Sequence, residues 1–416
     1  MLVVKGRVFF KGRLEAAAVG IADGKVVAVK KVLRGEETSD FGDSLILPGC
    51  VDAHVHLRDP GLTRKEDFPS GTRSAALGGV STVADMPNTV PPVTTRVAFE
   101  EKAAALRGRA AVDYALYAAP RSGSAVPRMP DAIGFKVYMA ESTGDLQIDE
   151  EAMEDVLEAA GDADRLVVVH AEDARRFTRP ARGGLEGHHM ARPKESEVSA
   201  IQALGKMSRG ARVHVAHVTC TEALDAVPAG VTKEATPHHL LLDFRRDLKA
   251  FGKVNPPLRS PEDRGALWRA YVEGRVDLVA SDHAPHAIEE KEELFAEAPS
   301  GLPGVATSFP LLLRRVKAGD LALERLVETI AEGPARVLGI EKGTIAVGRD
   351  ADLVVVDPRD VRRVTAKRVR YACGWTPFEG MEACFPEAVL LRGEPVVEDG
   401  EPAAEGLGRM ITAAKS

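Results

Sequence analysis

The residues in this chain best suited to chemistry are its histidines. All eleven fall between His54 and His286, none in either terminal stretch. His54 and His56 close an apolar run, and their two-residue spacing on a strand turns both imidazoles to one face. His170 ends a second run, His217 a third, and Asp282 a fourth. Neutral imidazoles with a carboxylate suit zinc or another first-row divalent ion. A structural thiolate site is not expected, because Cys50, Cys220, Cys373 and Cys384 are far apart with no CxxC pair and read as buried thiols. In RVHVAHVT, His214 and His217 are three apart, so alternation allows only one of them to point inward. The pairs His188/His189 and His238/His239 lie in what reads as loop or turn sequence and are taken as hydrogen-bonded structural residues.

Such side chains need a scaffold that brings strand ends together. Residues 45 to 285 alternate apolar, β-rich runs with Ala/Leu/Glu/Arg-rich helical stretches, the pattern of βα units. Eight runs can be counted: LILPGCVDAHVH, VSTVADMP, VDYALYAAP, IGFKVYMA, LVVVHAED, RVHVAHVT, GVTKEATP and VDLVASDHAPH. Eight is the number that closes a parallel (β/α)8 barrel, which carries its active site at the C-terminal ends of the strands. The two ends of the chain have strand-and-turn texture. The expected organisation is therefore a TIM barrel over residues 48–342 and a small β-sandwich domain assembled from 1–47 and 343–416.

Bulk composition narrows the function. A chain of 416 residues, 44% hydrophobic and 28% charged, has ample core for one large and one small domain. Net charge −7, spread along the sequence, offers no basic face to nucleic acid. Charged residues and glycines interrupt the N-terminal segment every few positions, so neither a signal peptide nor a membrane span is expected, and the reading is a cytoplasmic enzyme of a small molecule. The whole chain has two asparagines, Asn88 and Asn255, and both stand in motifs, MPNT and NPPLR.

Taken in order, LPGCVDAHVHLRDPG, GGVSTVADMPNTVPP, GFKVYMAESTGDL, VVVHAED, HVAHVT, EATPHHLLL, KVNPPLR, VASDHAPH and GTIAVGRDADLVVVD resemble the amidohydrolase superfamily. HLRDPG, MPNT, NPPLR and SDHAPH narrow the resemblance to the dihydroorotase and allantoinase branch, with the long-chain bacterial and archaeal dihydroorotases the nearer. The resemblance implies that His54, His56 and Asp282 ligate one metal ion, most simply zinc, and His170 and His217 a second. Lys136 would bridge the two as a carbamate formed with carbon dioxide or bicarbonate, since an ammonium cannot ligate a cation. That lysine lies in the apolar run GFKVYM, where an unpaired charge is costly to bury.

The implied reaction is reversible hydrolysis of the cyclic amide of dihydroorotate to N-carbamoyl-L-aspartate, the ring-closing step of pyrimidine synthesis in the other direction. A hydroxide held between the ions attacks the carbonyl, and Asp282 carries the proton to the leaving nitrogen. Arg58, two residues past His56 and so in phase with the pair, offers a planar fork for the substrate carboxylate. By resemblance Asn88 and His286 complete that carboxylate site, Asn255 contacts the ring, and Ser300 and Gly301 supply backbone contacts. Allantoinases and dihydropyrimidinases share the ligands, but the latter carry a catalytic tyrosine where this chain has Glu141. Inactive dihydroorotase-like partners of aspartate transcarbamoylase lose ligands that this chain keeps. A homo-oligomer is expected, and a complex with the transcarbamoylase stays open.

Overall fold

The computed structural model describes residues 1–414 apart from 124–125, 127, 141–145, 180–182 and 208–209, so Glu141 lies outside the described residues. The chain begins with β1 (Leu2–Phe10), β2 (Arg13–Ala22), β3 (Lys25–Lys30) and β4 (Glu37–Pro48). Eight short strands follow: β5 (Cys50–Val55), β6 (Val80–Asp85), β7 (Asp113–Leu116), β8 (Gly134–Tyr138), β9 (Leu166–His170), β10 (Arg212–Val215), β11 (Thr232–Ala235) and β12 (Leu278–Val279). Each falls within one of the eight apolar runs. Almost every residue of β5 to β10 is buried, as expected for parallel strands covered on both faces, whose sequences read as continuous apolar runs.

Hydrogen bonding joins β5, β6 and β7 in one parallel group and β8 to β12 in another. Parallel bridges Ala118↔Phe135 and Val55↔His283 link the groups at both seams, which closes the barrel. At the first of the larger group's pairings, a Cβ on Gly134 would lie 2.6 Å from the Leu166 carbonyl oxygen, so β8 and β9 can approach only because that residue is glycine.

Helices cover the outside. The helix Phe68–Leu77 starts at Asp67, whose carboxylate accepts from the Ser70 amide, and the helix Glu150–Asp162 is capped likewise by Asp149. The latter buries Met153, Val156, Leu157 and Ala160, a spacing of three, one and three that forms a single stripe against the barrel.

The last strands are β13 (Leu353–Val356), the short pair β14 (Arg362–Arg363) and β15 (Glu382–Ala383), then β16 (Ala388–Leu391), β17 (Glu394–Glu398) and β18 (Glu401–Pro402). The two ends of the chain meet in one eight-stranded sheet, ordered β18-β17-β16-β13-β4-β1-β2-β3. Its inner face packs Val4, Val8, Val19, Ile21, Val26, Ile46, Leu353, Val355 and Leu390. An ionic knot ties this sheet to the barrel. The Lys342 ammonium lies 2.7 Å from carboxylate oxygens of Asp113 on β7, Asp350 and Asp352, and Arg392 pairs with Asp113 as well. The three acids are close enough together to hold a cation, and the lysine supplies that positive charge. Among the described residues no helix is long and apolar enough to cross a membrane, and all four cysteines are buried free thiols.

Candidate active site

The C-terminal ends of the barrel strands converge on one cavity. His54, His56, Arg58, Asn88, Lys136, His170, His217, Asn255, Asp282, Ser300 and Gly301 line it, together with Tyr138, Val254 and Ala284. His286 is not among the lining residues and stands one layer behind. Its Nε2 lies 3.2 Å from both Arg58 Nη2 and the Ser300 carbonyl, and its Nδ1 is 3.1 Å from Lys65 Nζ. Lys65 Nζ is a donor at Nδ1, and Nε2 faces one donor, Arg58 Nη2, and one acceptor, the Ser300 carbonyl.

His54 ends its ligand-like geometry in a fixed tautomer. Its Nδ1 sits 2.6 Å from Glu234 Oε1, an acceptor, so the proton is on Nδ1 and the Nε2 lone pair faces the cavity. His56 repeats this, with Nδ1 donating to Asn88 Oδ1 at 2.6 Å. Both Nε2 atoms lie 3.2 Å from the same oxygen of Asp282. Two lone pairs and a carboxylate oxygen facing one another repel, and a divalent cation among them turns that repulsion into coordination. These are also the three residues whose donor atoms fall within 4.8 Å of one another.

A second group adjoins the first. His170 Nε2 donates to Glu172 at 2.8 Å, which leaves its Nδ1 lone pair aimed at His217 Nε2, 3.0 Å away. Lys136 Nζ lies 3.3 Å from His54 Nε2, between the two sets. The donor chemistry therefore fits two ions and a bridging ligand.

Electrostatics keep these donors ready. Burial lowers His56 to about 4 and holds His217 well below the usual imidazole value, with His170 and Lys136 adding to the effect, so both rings are neutral near pH 7. Burial opposes ionisation of Asp282, and positive charge beside it, on the His54 and His56 rings or on a cation held among them, keeps its carboxyl well below the ordinary range. Burial also lowers Lys136 to about 8.

Three expectations need correction. The strand β5 stops at Val55 and Arg58 has φ +63°, so Arg58 reaches the cavity through a left-handed turn, not by strand phase. Its Nε donates to the Pro285 carbonyl at 3.2 Å. His214 and His217 do not split between two faces, because β10 ends at Val215 and His217 has φ +39°. His214 instead reaches Glu234 Oε2 at 3.0 Å, while Glu234 Oε1 takes the His217 amide, so both histidines serve one cluster. His188 and His189 lie on the helix Gly184–Ala191, and His238 and His239 on Pro237–Leu241, not in loops. Their structural role fits: His188 Nε2 donates to Asn255 Oδ1 at 2.9 Å and fixes that amide.

Sequence reasoning passed over the residues that orient the candidate ligands. Glu234 on β11 is fully buried, and a lone acid in a barrel strand was the available signal. Glu172, two after His170, is pinned by Arg192. Lys291, also buried, donates to the carbonyls of Lys253, Pro299 and Gly301 at 3.2, 2.9 and 3.2 Å. That cage sets the backbone of residues 299–301 against the cavity. Gly301 has φ +149°, and a Cβ there would lie 2.5 Å from the Ala284 carbonyl and 2.9 Å from His286, so only glycine permits the approach.

Comparison with known proteins agrees with this arrangement. The amidohydrolase family profile matches residues 45–396. A dihydroorotase of Halobacterium salinarum is 43% identical over 99% of this chain and 100% of its own length. One from Methanosarcina acetivorans is 37% identical over 97% and 94%. Among solved structures, an L-hydantoinase (dihydropyrimidinase) from Arthrobacter aurescens superposes with a TM-score of 0.93 at 31% identity, covering 99% of both chains.

Proposed function

Because this chain belongs to the amidohydrolase family, whose members are metal-dependent hydrolases, we propose that it is a dihydroorotase, opening and closing the cyclic amide of dihydroorotate. The observation that carries the choice of substrate is Arg58. It is 2% exposed, burial lowers its affinity for its own proton, and its Nη1 has no hydrogen-bond partner among the described residues. A desolvated, unmet guanidinium nitrogen on a residue that lines the cavity is matched by a carboxylate, which dihydroorotate has and hydantoin or dihydrouracil lacks. The archaeal dihydroorotases at 37–43% identity favour the same reading.

In this reading His54, His56 and Asp282 hold one ion, His170 and His217 a second, and carboxylated Lys136 joins them. The ions, when bound, polarise the amide carbonyl and bring the pKa of water down to about 7. Zinc is the ion that imidazole and carboxylate donors suit best. Burial of Lys136 enlarges its share of free amine, the form that adds carbon dioxide with loss of a proton. Asp282, held ionised, accepts a proton from water at its carboxylate and returns it to the ring nitrogen as the C–N bond breaks. Arg58 anchors the substrate carboxylate, Asn88 orients His56 and borders that anchor, and Asn255 with the backbone of Ser300 and Gly301 faces the ring. His286 supports this wall by holding Ser300. The reading includes a cytoplasmic enzyme of identical subunits.

A panel of dihydroorotate, allantoin, hydantoin and dihydrouracil, assayed with zinc and bicarbonate, tests it. Dihydroorotate should be preferred in kcat/KM by at least about 30-fold, the scale of losing one charge-assisted contact. A preference for an uncharged ring would overturn the assignment.

A further inference from the structure

Tyr138 lines the same cavity and has no task in the mechanism above. It is the last residue of β8, two positions after Lys136, so strand alternation turns both to one side. The side chain is 3% exposed, and its hydroxyl has no hydrogen-bond partner among the described residues. A buried tyrosine hydroxyl normally finds one, and leaving it unmet costs about 1–3 kcal/mol. The ring is braced from two sides, with Lys136 Nζ 5.3 Å and the His170 ring 5.9 Å from its centroid. Its hydroxyl therefore has little freedom to seek a partner elsewhere.

A second unmet donor, Nη1, belongs to Arg58, which lines the same cavity. Both residues line the one cavity, on which Asp282 also stands. A phenol is protonated near neutral pH, so it is a neutral donor. One guanidinium cannot fill the four or so acceptor positions of a carboxylate, and a neutral O–H beside it adds a contact without adding a second buried charge.

We propose that Tyr138 is a substrate-binding residue that reads the substrate carboxylate together with Arg58, its O–H donating to one oxygen while Arg58 Nη1 serves the other. The proposal rests on the dihydroorotate reading. Tyr138→Phe removes the oxygen alone and keeps the ring that packs on Lys136 and His170. With the metal-loaded enzyme, kcat/KM for dihydroorotate should fall by about 10- to 100-fold, mostly through KM, the scale of a hydrogen bond to a charged group. Metal content should not move, and the melting temperature should not fall, because the variant removes a hydroxyl that the free enzyme leaves unmet among the described residues. Dihydrouracil, followed as slow substrate or as competitive inhibitor, should be affected by less than about twofold, since it has no carboxylate. Unchanged kinetics with dihydroorotate would overturn the proposal. So would an equal loss with both compounds, which would assign the hydroxyl to the reacting amide. Failure of the unmodified enzyme to turn over dihydroorotate would instead remove the substrate reading and the proposal with it.

Discussion

Replacing Arg58 by methionine separates recognition of the carboxylate from general damage. Methionine keeps much of the aliphatic stem and deletes the guanidinium. Two contacts of that group are internal, Nε to the Pro285 carbonyl and Nη2 beside His286 Nε2, both at 3.2 Å. Nη1 has none among the described residues, so the interaction with substrate is a gain that the free enzyme does not already satisfy. A charge-assisted pair in a desolvated site contributes about 2–3 kcal/mol, which corresponds to roughly 30- to 150-fold in kcat/KM. The orphaned Pro285 carbonyl costs stability, about 1 kcal/mol or more, but that cost is the same for every substrate. Steady-state kinetics on dihydroorotate and dihydrouracil, with metal content measured in parallel, should show the loss on the first and little change on the second. An equal loss on both with full metal content would mean that Arg58 does not read a carboxylate, and the assignment would retreat to a cyclic amidohydrolase of another substrate.

Lys136→Ala should leave at least one of two divalent ions unbound, since it removes the ligand shared by both; full occupancy by elemental analysis would refute the bridging role. Glu234→Gln should weaken metal binding by about 10- to 100-fold in chelator competition, because Glu234 fixes the His54 tautomer at 2.6 Å and also holds His214. An unaltered affinity would show that His54 needs no such support. Lys342→Met should destabilise the fold by about 3–5 kcal/mol by leaving Asp352 buried without its cation, while Asp113 keeps Arg392, and a melting temperature close to the parent's would contradict that account. Burial lowers His188 and His238 to about 4, so between about pH 4 and 6.5 these two rings bind more protons in the unfolded chain than in the folded one and contribute stability that rises with pH. Denaturant midpoints that stay level across that window would show that these rings are not buried neutral.

The sequence by itself determined the architecture of the barrel and most of the chemical inventory. Parallel strands covered on both faces must be apolar throughout, so β5 to β12 announce themselves as eight runs, and barrel geometry then requires that His54, His170 and Asp282, at or just beyond run ends, meet. Lys136 was legible because a lysine in GFKVYM has no cheap structural explanation.

Tertiary structure decided what a run of letters cannot encode. Alternation predicts side-chain direction only while the strand lasts, and β5 and β10 end before Arg58 and His217, which reach the cavity through left-handed backbone. Whether His214 is a spare ring or part of the cluster depends on Glu234, 20 residues away on the neighbouring strand. The helices that carry His188 and His238 are short, too short for a periodic signal to separate them from turns. Tyr138 and Lys291 read as ordinary strand and helix residues, and only the folded chain shows that one presents an unmet hydroxyl and that the other is caged by three carbonyls. Ligand types follow from local residue chemistry. The hydrogen bonds that orient them join segments distant in sequence, and those contacts exist only once the barrel has closed.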